Sequence, residues 1–198
     1  DCPGAPKILS KSYSPVSHPN TEGYFDLIVK SYPTSPNEGG GVGQYLCSMH
    51  IGDSIQAELK KERKMHGSSQ ILNRFQNIGL LAGGTGIAPL LQLARILLES
   101  EQEQDLPRIH LLFINHTEGD ILGRNEIEKL ANKYPDNFFV SYSFTSQKKI
   151  EAQGEPITVL DEQDKNQTRN QPPRQKNQPS ISFMNGRGDV DMVRKALP

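Results

Sequence analysis

The chain has 198 residues, with 22 lysines and arginines, 23 aspartates and glutamates and a formal net charge of −1. This length allows one full domain or two small ones. A net charge near zero argues against a nucleic-acid-binding protein, whose affinity depends on a basic surface. No apolar run reaches the roughly 18 residues that a membrane span needs, and no signal-peptide pattern opens the chain. Two cysteines, Cys2 and Cys47, are too few for a disulfide framework and suit a reducing compartment.

The first third of the chain predicts short strands between glycine- and proline-rich loops. Phe25, Leu27 and Val29 alternate with their neighbours, so they would share one face of a strand. The elements predicted in this region are strands at 7–16, 23–30 and 54–59 and a short helix at 44–49.

A glycine-rich turn at 83–86 dominates the middle of the chain. An apolar run leads into the turn, and glycines without a Cβ let a ligand approach the backbone closely. Pro89 suits the first position of the helix that follows, and this helix would present N–H groups to an anion. Its apolar periodicity predicts a buried stripe at Leu90, Leu93, Ala94 and Leu97. The pattern favours the first half of a dinucleotide-binding βαβ unit, and a tight turn without a ligand is the alternative.

Two further apolar runs, at 109–114 and 138–144, predict strands that are buried on both faces of a sheet. The segment 120–134 between them predicts a helix whose buried face carries Ile127, Leu130, Ala131 and Tyr134. The alternation of strands and helices is typical of a parallel sheet with right-handed crossovers.

The last part of the chain is less regular. Residues 161–180 are rich in Gln, Asn, Lys and Pro and predict a disordered insertion. Order is expected to resume at Ile181 and to end in a helix at 190–197 whose inward positions are Val190, Val193 and Leu197. The tripeptide at 187–189 matches an integrin-binding motif, but a turn with Asp189 as the N-cap of the helix is the preferred interpretation.

Five stretches resemble the NADH–cytochrome b5 reductase family, part of the ferredoxin-reductase-like superfamily of FAD- and NAD(P)-binding proteins. The sequence Lys-Ser-Tyr-Ser-Pro at 11–15 is similar to the family's Arg-x-Tyr-Ser/Thr flavin motif. The sequence at 82–89 is similar to its Gly-Gly-Thr-Gly-Ile-x-Pro loop. The other stretches are the strand at 23–32, the loop at 40–46 and the Asn-x-Thr-Glu-x-Asp-Ile-Leu segment at 115–122.

The resemblance implies an α/β plus all-β fold with two domains. Residues 1–72 would form a partial FAD-binding antiparallel β-barrel. Residues 73–198 would form a Rossmann-like parallel-sheet NAD(P)-binding domain that lacks its C-terminal strand and helix. Because some barrel strands are also missing, the sequence is expected to be truncated at both ends.

The resemblance also implies the cofactors, FAD and NADH, and the residues that bind them. Tyr13 and Ser14 would lie beside the flavin, Lys30 toward the nicotinamide nucleotide and Thr85 between the two rings. Taken alone, Tyr13 would be an ordinary half-buried strand tyrosine and Lys30 a solvated lysine. No side chain is expected to act as a catalytic acid or base or as a metal ligand. The predicted cofactor-binding residues are Lys11, Ser12, Tyr13, Ser14, Ile28, Lys30, Gly41, Val42, Gly43, Gly83, Gly84, Thr85, Gly86 and Pro89.

Two departures from the family pattern concern the flavin diphosphate. Lys11 replaces an arginine, whose forked donor suits a pyrophosphate, and Gly43 replaces a hydroxyl residue. Backbone N–H groups at Gly41 and Gly43 could offset this loss by forming an anion-binding nest. The sequence predicts that Lys11→Arg and Gly43→Ser would each tighten FAD binding.

The implied function is that of an NADH oxidoreductase that passes a hydride to FAD and then single electrons to a haem protein such as cytochrome b5. A flavin-less, inactive nucleotide-binding paralogue and a fragment of a multidomain enzyme such as nitrate reductase are the alternatives. The resemblance further implies a monomer on the cytoplasmic side, at the endoplasmic reticulum or mitochondrial outer membrane, with any membrane anchor outside this sequence.

NADH is predicted to be preferred over NADPH. Gln147 stands about where NADP-dependent relatives carry an arginine for the 2′-phosphate. Glu118 and Asp120 would repel that phosphate if they faced it. Lys148 and Lys149 could serve it as point charges, although a solvated loop is the preferred interpretation for them.

Overall fold

The computed structural model describes residues 10–32, 41–58, 75–99, 106–146, 180–185 and 190–197. Within these residues, the strands are β1 (Asn77–Gly83), β2 (Arg108–Asn115), β3 (Phe138–Phe144) and β4 (Ser180–Asn185). The helices are α1 (Val42–Ser48), α2 (Ile87–Leu98), α3 (Arg124–Lys133) and α4 (Val190–Ala196). Short 3₁₀ turns lie at Gly84–Gly86 and Glu118–Asp120.

The four strands form one parallel sheet in the order β1-β2-β3-β4, which confirms the predicted parallel pairing. Leu80, Leu111 and Val140 are partners in register on three adjacent strands, and all three are buried. Leu112, on the opposite face from Leu111, is also fully buried. Burial on both faces explains why the predicted strands appear in the sequence as near-continuous apolar runs.

Helices cover both faces of the sheet. Ile87 and Leu91 of α2 and Ile127 of α3 pack into the larger core together with Leu111 and Phe113 of β2. On the other face, Met192 of α4 packs with Leu112 and Met184 in a smaller cluster. The two clusters sandwich the sheet between helical layers.

Helix α2 begins two residues earlier than predicted. The glycine turn closes as a 3₁₀ turn, so the helix starts at Ile87 and Pro89 occupies its third position. This position tolerates proline because the first-turn N–H groups have no partner within the helix. The buried stripe is rotated accordingly: Leu90 and Leu93 are only partly buried, and the fully buried residues of the helix are Ile87, Ala88, Leu91, Ala94, Leu97 and Leu98.

The helix predicted at 120–134 is shorter in the structure. A 3₁₀ turn occupies Glu118–Asp120, and Gly123 at φ +66° separates it from α3. Because that left-handed conformation cannot continue an α-helix, α3 starts only at Arg124. The predicted buried face is confirmed at Ile127, Leu130 and Ala131, and Tyr134 packs against the core from the C-cap.

The C-terminal helix forms where predicted but with a different inner face. Val190 is 64 % exposed, whereas Met192 is buried and Val193 and Leu197 pack against the smaller cluster. Val190 is the first residue of this helix. The predicted insertion at 161–180, apart from the start of β4, and the turn at 187–189 with its Asp189 cap lie outside the described residues.

The strands predicted at 7–16 and 23–30 are not formed as regular ladders in their described residues, 10–16 and 23–30. Only an isolated antiparallel bridge joins Pro15 to Leu27, with the Val16 N–H donating to Asp26 O at 2.9 Å. Phe25 is 50 % exposed, so its alternation with Leu27 does not mark a buried face. The helix predicted at 44–49 is confirmed as α1, and residues 54–58 form no strand.

Residues 10–32 nevertheless dock firmly on the sheet domain. Val16 is 3 % exposed and belongs to the larger core, and Ile28 packs against the same core. Gln92 Nε2 donates to the Ser17 carbonyl at 3.0 Å, and Lys30 Nζ lies 2.8 Å from Asp120 Oδ1. We call these contacts, with that of Ile28 on Gly123, the docking interface. The domain boundary predicted at residue 72 lies outside the described residues.

Replacing Gly123 by alanine should destabilise the docked structure. A Cβ at this position would lie 2.5 Å from Ile28 Cδ1, and the φ of +66° already disfavours a side chain. We expect a loss of about 1–2 kcal/mol in the free energy of unfolding, measured by urea denaturation.

Gly119→Ala is the matched control, since its Cβ would meet Thr117 Oγ1 at an ordinary 3.9 Å and should change stability by less than about 0.5 kcal/mol. Ile28→Val removes the clashing Cδ1, so it should cost less in the Gly123→Ala background than in the wild type. Equal costs in both backgrounds would contradict the contact between Ile28 and position 123.

Candidate functional site

The glycine turn lies at the carboxyl edge of the sheet, where ligands bind in open α/β sheets. Gly83 ends β1 beside Ile114 of β2, and the turn Gly84–Gly86 leads directly into α2. The 12-residue helix therefore points its N-terminus, with its positive dipole end, toward this edge.

The turn is open on its outer side. A Cβ built on Gly83, Gly84 or Gly86 would meet nothing within 4 Å, and Thr85 is exposed. Only Gly84, at φ +49°, needs glycine for its backbone conformation. Packing therefore does not explain Gly83 and Gly86, whereas the close approach of a ligand to the backbone does.

The loops after β2 and β3 complete the same edge. Thr145 N–H donates to the Asn115 carbonyl and Ser146 N–H to the His116 carbonyl, each at 3.0 Å. The Asn115 side chain is 5 % exposed, and both of its amide atoms lack a partner among the described residues. Unpaired buried amide atoms are costly, so this position is suited to an additional polar group such as a water or a ligand.

A second cleft, of about 300 Å³, opens on the segment that docks against the sheet domain. It brings together four of the predicted cofactor-binding residues, Lys11, Gly41, Val42 and Gly43. The other lining residues are Ser10, Tyr32 and Gln44. The cleft thus combines the Lys11 ammonium, the Tyr32 ring and the exposed Gly41. This combination suits a ligand that carries phosphates and a flat ring.

The Tyr13 side chain lies next to Gly43, one of the residues that line this cleft. The Tyr13 hydroxyl is buried without a partner among the described residues, and it lies 3.4 Å from the position of a Cβ on Gly43. The same Cβ would lie 3.1 Å from the Lys30 carbonyl oxygen. Gly43 therefore lets α1 approach the chain at Lys30, and a side chain there would crowd the backbone.

Lys30 does not extend freely into solvent. Its Nζ donates to Asp120 Oδ1 at 2.8 Å and lies 5.6 Å from the centre of the Tyr32 ring. Asp120 Oδ2 in turn accepts from Thr117 N at 3.1 Å and from Thr117 Oγ1 at 2.7 Å. The hydrogen bond from Lys30, followed by that from Thr117, lowers the pKa of Asp120 to about 2, and Asp120 raises the pKa of Lys30.

Both acidic residues of this loop have cationic partners. Glu118 Oε1 lies 2.6 Å from Arg124 Nη1, and Asp120 pairs with Lys30. Lys30 balances the charge of Asp120, whereas Arg124 is shared between Glu118 and Glu128, so one negative charge remains beside Glu118. The repulsion of a 2′-phosphate that faces this loop stays a prediction.

The remaining predicted site residues lie around these two centres. Ser12 and Ser14 are exposed on either side of Tyr13, and Pro89 lies in the first turn of α2. The Ile28 side chain is partly buried against the larger core, with its Cδ1 beside Gly123.

Sequence reasoning missed the Thr117–Asp120 pair, the buried Asn115 and the cleft residues Ser10, Tyr32 and Gln44. The pattern Thr-x-x-Asp at 117–120 is a capping-box signal and could have identified the first of these. The others depend on distant segments coming together, which no local pattern encodes.

The chain belongs to the family of oxidoreductase NAD-binding domains, whose model matches residues 80–191. A second model, the oxidoreductase FAD-binding domain, matches residues 2–60. These matches fall on the glycine turn and on the cleft, and they confirm FAD and NAD as the cofactor types of the matched domains. The two sites described above fit these groups, because they combine exposed glycines, a lysine and unpaired buried polar atoms.

The resemblance to NADH–cytochrome b5 reductases is confirmed as well. The NADH-cytochrome b5 reductase 1 of Aspergillus terreus is 39 % identical over 142 residues, covering 70 % of this chain and 45 % of that protein. The chain spans about half the length of the curated relatives it matches.

Solved structures show the same fold. The cytochrome b5 reductase domain of Ulva prolifera nitrate reductase matches with a TM-score of 0.57 and 27 % identity, covering 96 % of this chain and 74 % of that one. Ferredoxin-NADP+ reductase from Plasmodium falciparum, at 23 % identity, matches with a TM-score of 0.51 and covers 69 % of this chain and 52 % of that one. The predicted ferredoxin-reductase-like fold is thus confirmed. Among the described residues, no helix combines the length and apolar character that crossing a membrane requires.

The Lys30–Asp120 pair should stabilise docking except in strong acid. Because the pKa of Asp120 falls from 3.8 to about 2 on folding, its contribution is complete well above pH 4 and is lost as the pH falls through about 2. Asp120→Asn should therefore lower the urea midpoint of unfolding at pH 7, and the difference from the wild type should shrink strongly by pH 2. A difference that is unchanged between pH 7 and pH 2 would contradict this role of the carboxylate.

Proposed function

We propose that this chain is the FAD- and NADH-binding part of a reductase that delivers electrons to a haem protein such as cytochrome b5. The observation that carries the proposal is the docking of the Lys11–Gly43 cleft against a sheet whose glycine turn is open at the carboxyl edge. The names of the relatives and the matches to FAD- and NAD-binding domains support the same assignment.

The protein's contribution is placement. Bound FAD would accept the hydride of NADH and release single electrons, chemistry that no side chain here supplies. The side chains and backbone bind and orient the two ligands so that their rings can meet. The docking interface serves this purpose because it sets the position of one ligand site relative to the other.

For the flavin, we propose that Lys11 and the backbone at Gly41, Val42 and Gly43 hold the diphosphate, while the Tyr13 hydroxyl donates to the bound group. The buried, unpartnered state of that hydroxyl supports the assignment. Ser12 and Ser14 flank it and are proposed to complete this side of the site.

For the coenzyme, we propose that the turn 83–86 and the first turn of α2 bind the diphosphate, with Lys30 as the nearby cation. NADH remains the proposed coenzyme because the sequence offers no arginine near Gln147 for a 2′-phosphate. The negative charge left beside Glu118, whose partner Arg124 also pairs with Glu128, would add repulsion of a 2′-phosphate that faced this loop. The domain boundary near residue 72, the monomeric state and the cytoplasmic location at a membrane are proposed on the resemblance alone.

A second candidate is that the chain is part of a multidomain reductase. The match to the cytochrome b5 reductase domain of a nitrate reductase favours it, since that domain resembles 96 % of this chain. The two candidates share the sites proposed here and differ in the final electron acceptor.

The function can be tested with the purified chain. After incubation with FAD and removal of free ligand, the protein should keep flavin absorbance near about 450 nm, and anaerobic NADH should bleach it. Reduction of ferricyanide and of cytochrome b5 should follow. Protein that retains no flavin would instead support an inactive nucleotide-binding paralogue.

Lys11→Arg should tighten FAD binding, because a forked donor replaces a point charge at a diphosphate. One added charge-assisted hydrogen bond is worth about 1.5–3 kcal/mol, or roughly tenfold or more in the dissociation constant. Fluorescence titration of the apoprotein with FAD measures the dissociation constants of the variant and of the wild type.

Gly43→Ser should weaken FAD binding, contrary to the expectation from sequence, because its Cβ would crowd the Lys30 carbonyl at 3.1 Å. Gly41→Ser is its control, since a Cβ at Gly41 meets nothing within 4 Å. Tighter binding in Gly43→Ser would show that α1 can shift to accommodate the hydroxyl.

A further inference from the structure

The Asp120 carboxylate is held on both of its oxygens. Oδ2 accepts from the Thr117 backbone at 3.1 Å and from the Thr117 hydroxyl at 2.7 Å, while Oδ1 accepts from Lys30 at 2.8 Å. Thr117 is the N-cap and Asp120 the last residue of the short 3₁₀ turn that follows β2, and together they form a reciprocal capping box. The carboxylate is therefore a fixed acceptor rather than a mobile surface group.

Lys30 approaches this acceptor from a segment 90 residues away in the sequence. Its ammonium lies 5.6 Å from the centre of the Tyr32 ring, which lines the flavin-side cleft. Asp120 lies in the loop at the carboxyl edge, next to the strand that flanks the glycine turn. The ammonium therefore contacts a residue of the carboxyl-edge loop and lies near a residue that lines the flavin-side cleft.

An unrestrained lysine is a poor ligand for a phosphate at a defined position. Its side chain has four rotatable bonds, and fixing them costs rotamer entropy. An ammonium has three N–H donors, of which Asp120 takes one, so two are left to point at another anion. Restraint before binding lowers the entropic cost of that contact.

We propose that Asp120, held in place by Thr117, is a positioning residue that presents the Lys30 ammonium to the diphosphate of the nicotinamide coenzyme. This inference rests on the proposed function. The negative charge of Asp120 opposes the coenzyme only weakly, because Lys30 neutralises it and Thr117 donates two hydrogen bonds to it. The main effect of Asp120 is therefore to fix the position of the Lys30 ammonium.

The test compares Asp120→Asn and Thr117→Val with the wild-type chain. Isothermal titration with NAD+ should give a dissociation constant about tenfold higher for Asp120→Asn than for the wild type. For Thr117→Val the increase should be about threefold, because the Asp120 carboxylate is still present but has lost the hydrogen bond from the Thr117 hydroxyl. In steady-state kinetics with ferricyanide, the KM for NADH should rise by a larger factor than kcat falls. FAD affinity should stay the same.

Two controls separate positioning from general destabilisation. Thr117→Ser retains the hydroxyl and should bind NAD+ like the wild type. Glu99→Gln breaks a surface ion pair with Lys133 at the other end of α2 and should leave the dissociation constant unchanged. Thr117→Val also keeps the test valid if Asp120→Asn fails to fold.

The loss of NAD+ affinity at alkaline pH is a further test, because a purely structural role of Asp120 would not change the pH at which it occurs. Asp120 and, more weakly, the Tyr32 phenol raise the pKa of Lys30, so Asp120→Asn should shift the loss of affinity to lower pH. Unchanged or tighter NAD+ binding in Asp120→Asn would overturn the inference while leaving the proposed function intact. Wild-type protein that binds no NAD+ would overturn both.

Discussion

The docking of residues 10–32 on the sheet domain is the constraint on which the rest of the structure depends. This segment has a single β-bridge of its own, at Pro15 and Leu27, so its position is set by the partner surface. Three kinds of contact hold it there: the Lys30–Asp120 ion pair, the packing of Ile28 against Gly123, and the burial of Val16 in the larger core. Without them, the flavin-side cleft would have no fixed relation to the glycine turn.

The sheet domain could be predicted from the sequence because each of its elements is determined by neighbouring residues in the chain. Buried strands such as Phe138–Phe144 must be apolar on both faces, and glycine must occupy the turn at Gly84. The flavin-side segment could not, because alternation at Phe25 and Leu27 predicts a strand only where a neighbouring ladder exists. The pairing of Asp120 with Lys30 could not be predicted either, since the two residues are 90 positions apart in the sequence.

The same distinction applies to the candidate sites. Lys11, Gly41 and Gly43 were identified by resemblance, and the structure gathers them in one cleft. The structure alone shows that Gly43 is needed for the close approach to Lys30, which reverses the expected effect of a serine there. A family pattern identifies which positions matter, and the local packing decides what each residue does.

A double-mutant cycle on Lys30 and Asp120 tests the central claim most directly. The free energy of unfolding would be measured at pH 7 for Lys30→Met, for Asp120→Asn and for the double variant. If the ion pair joins the two parts of the chain, the double variant should lose less stability than the sum of the single losses, and added salt should reduce the difference. Strictly additive losses would contradict the docking described here.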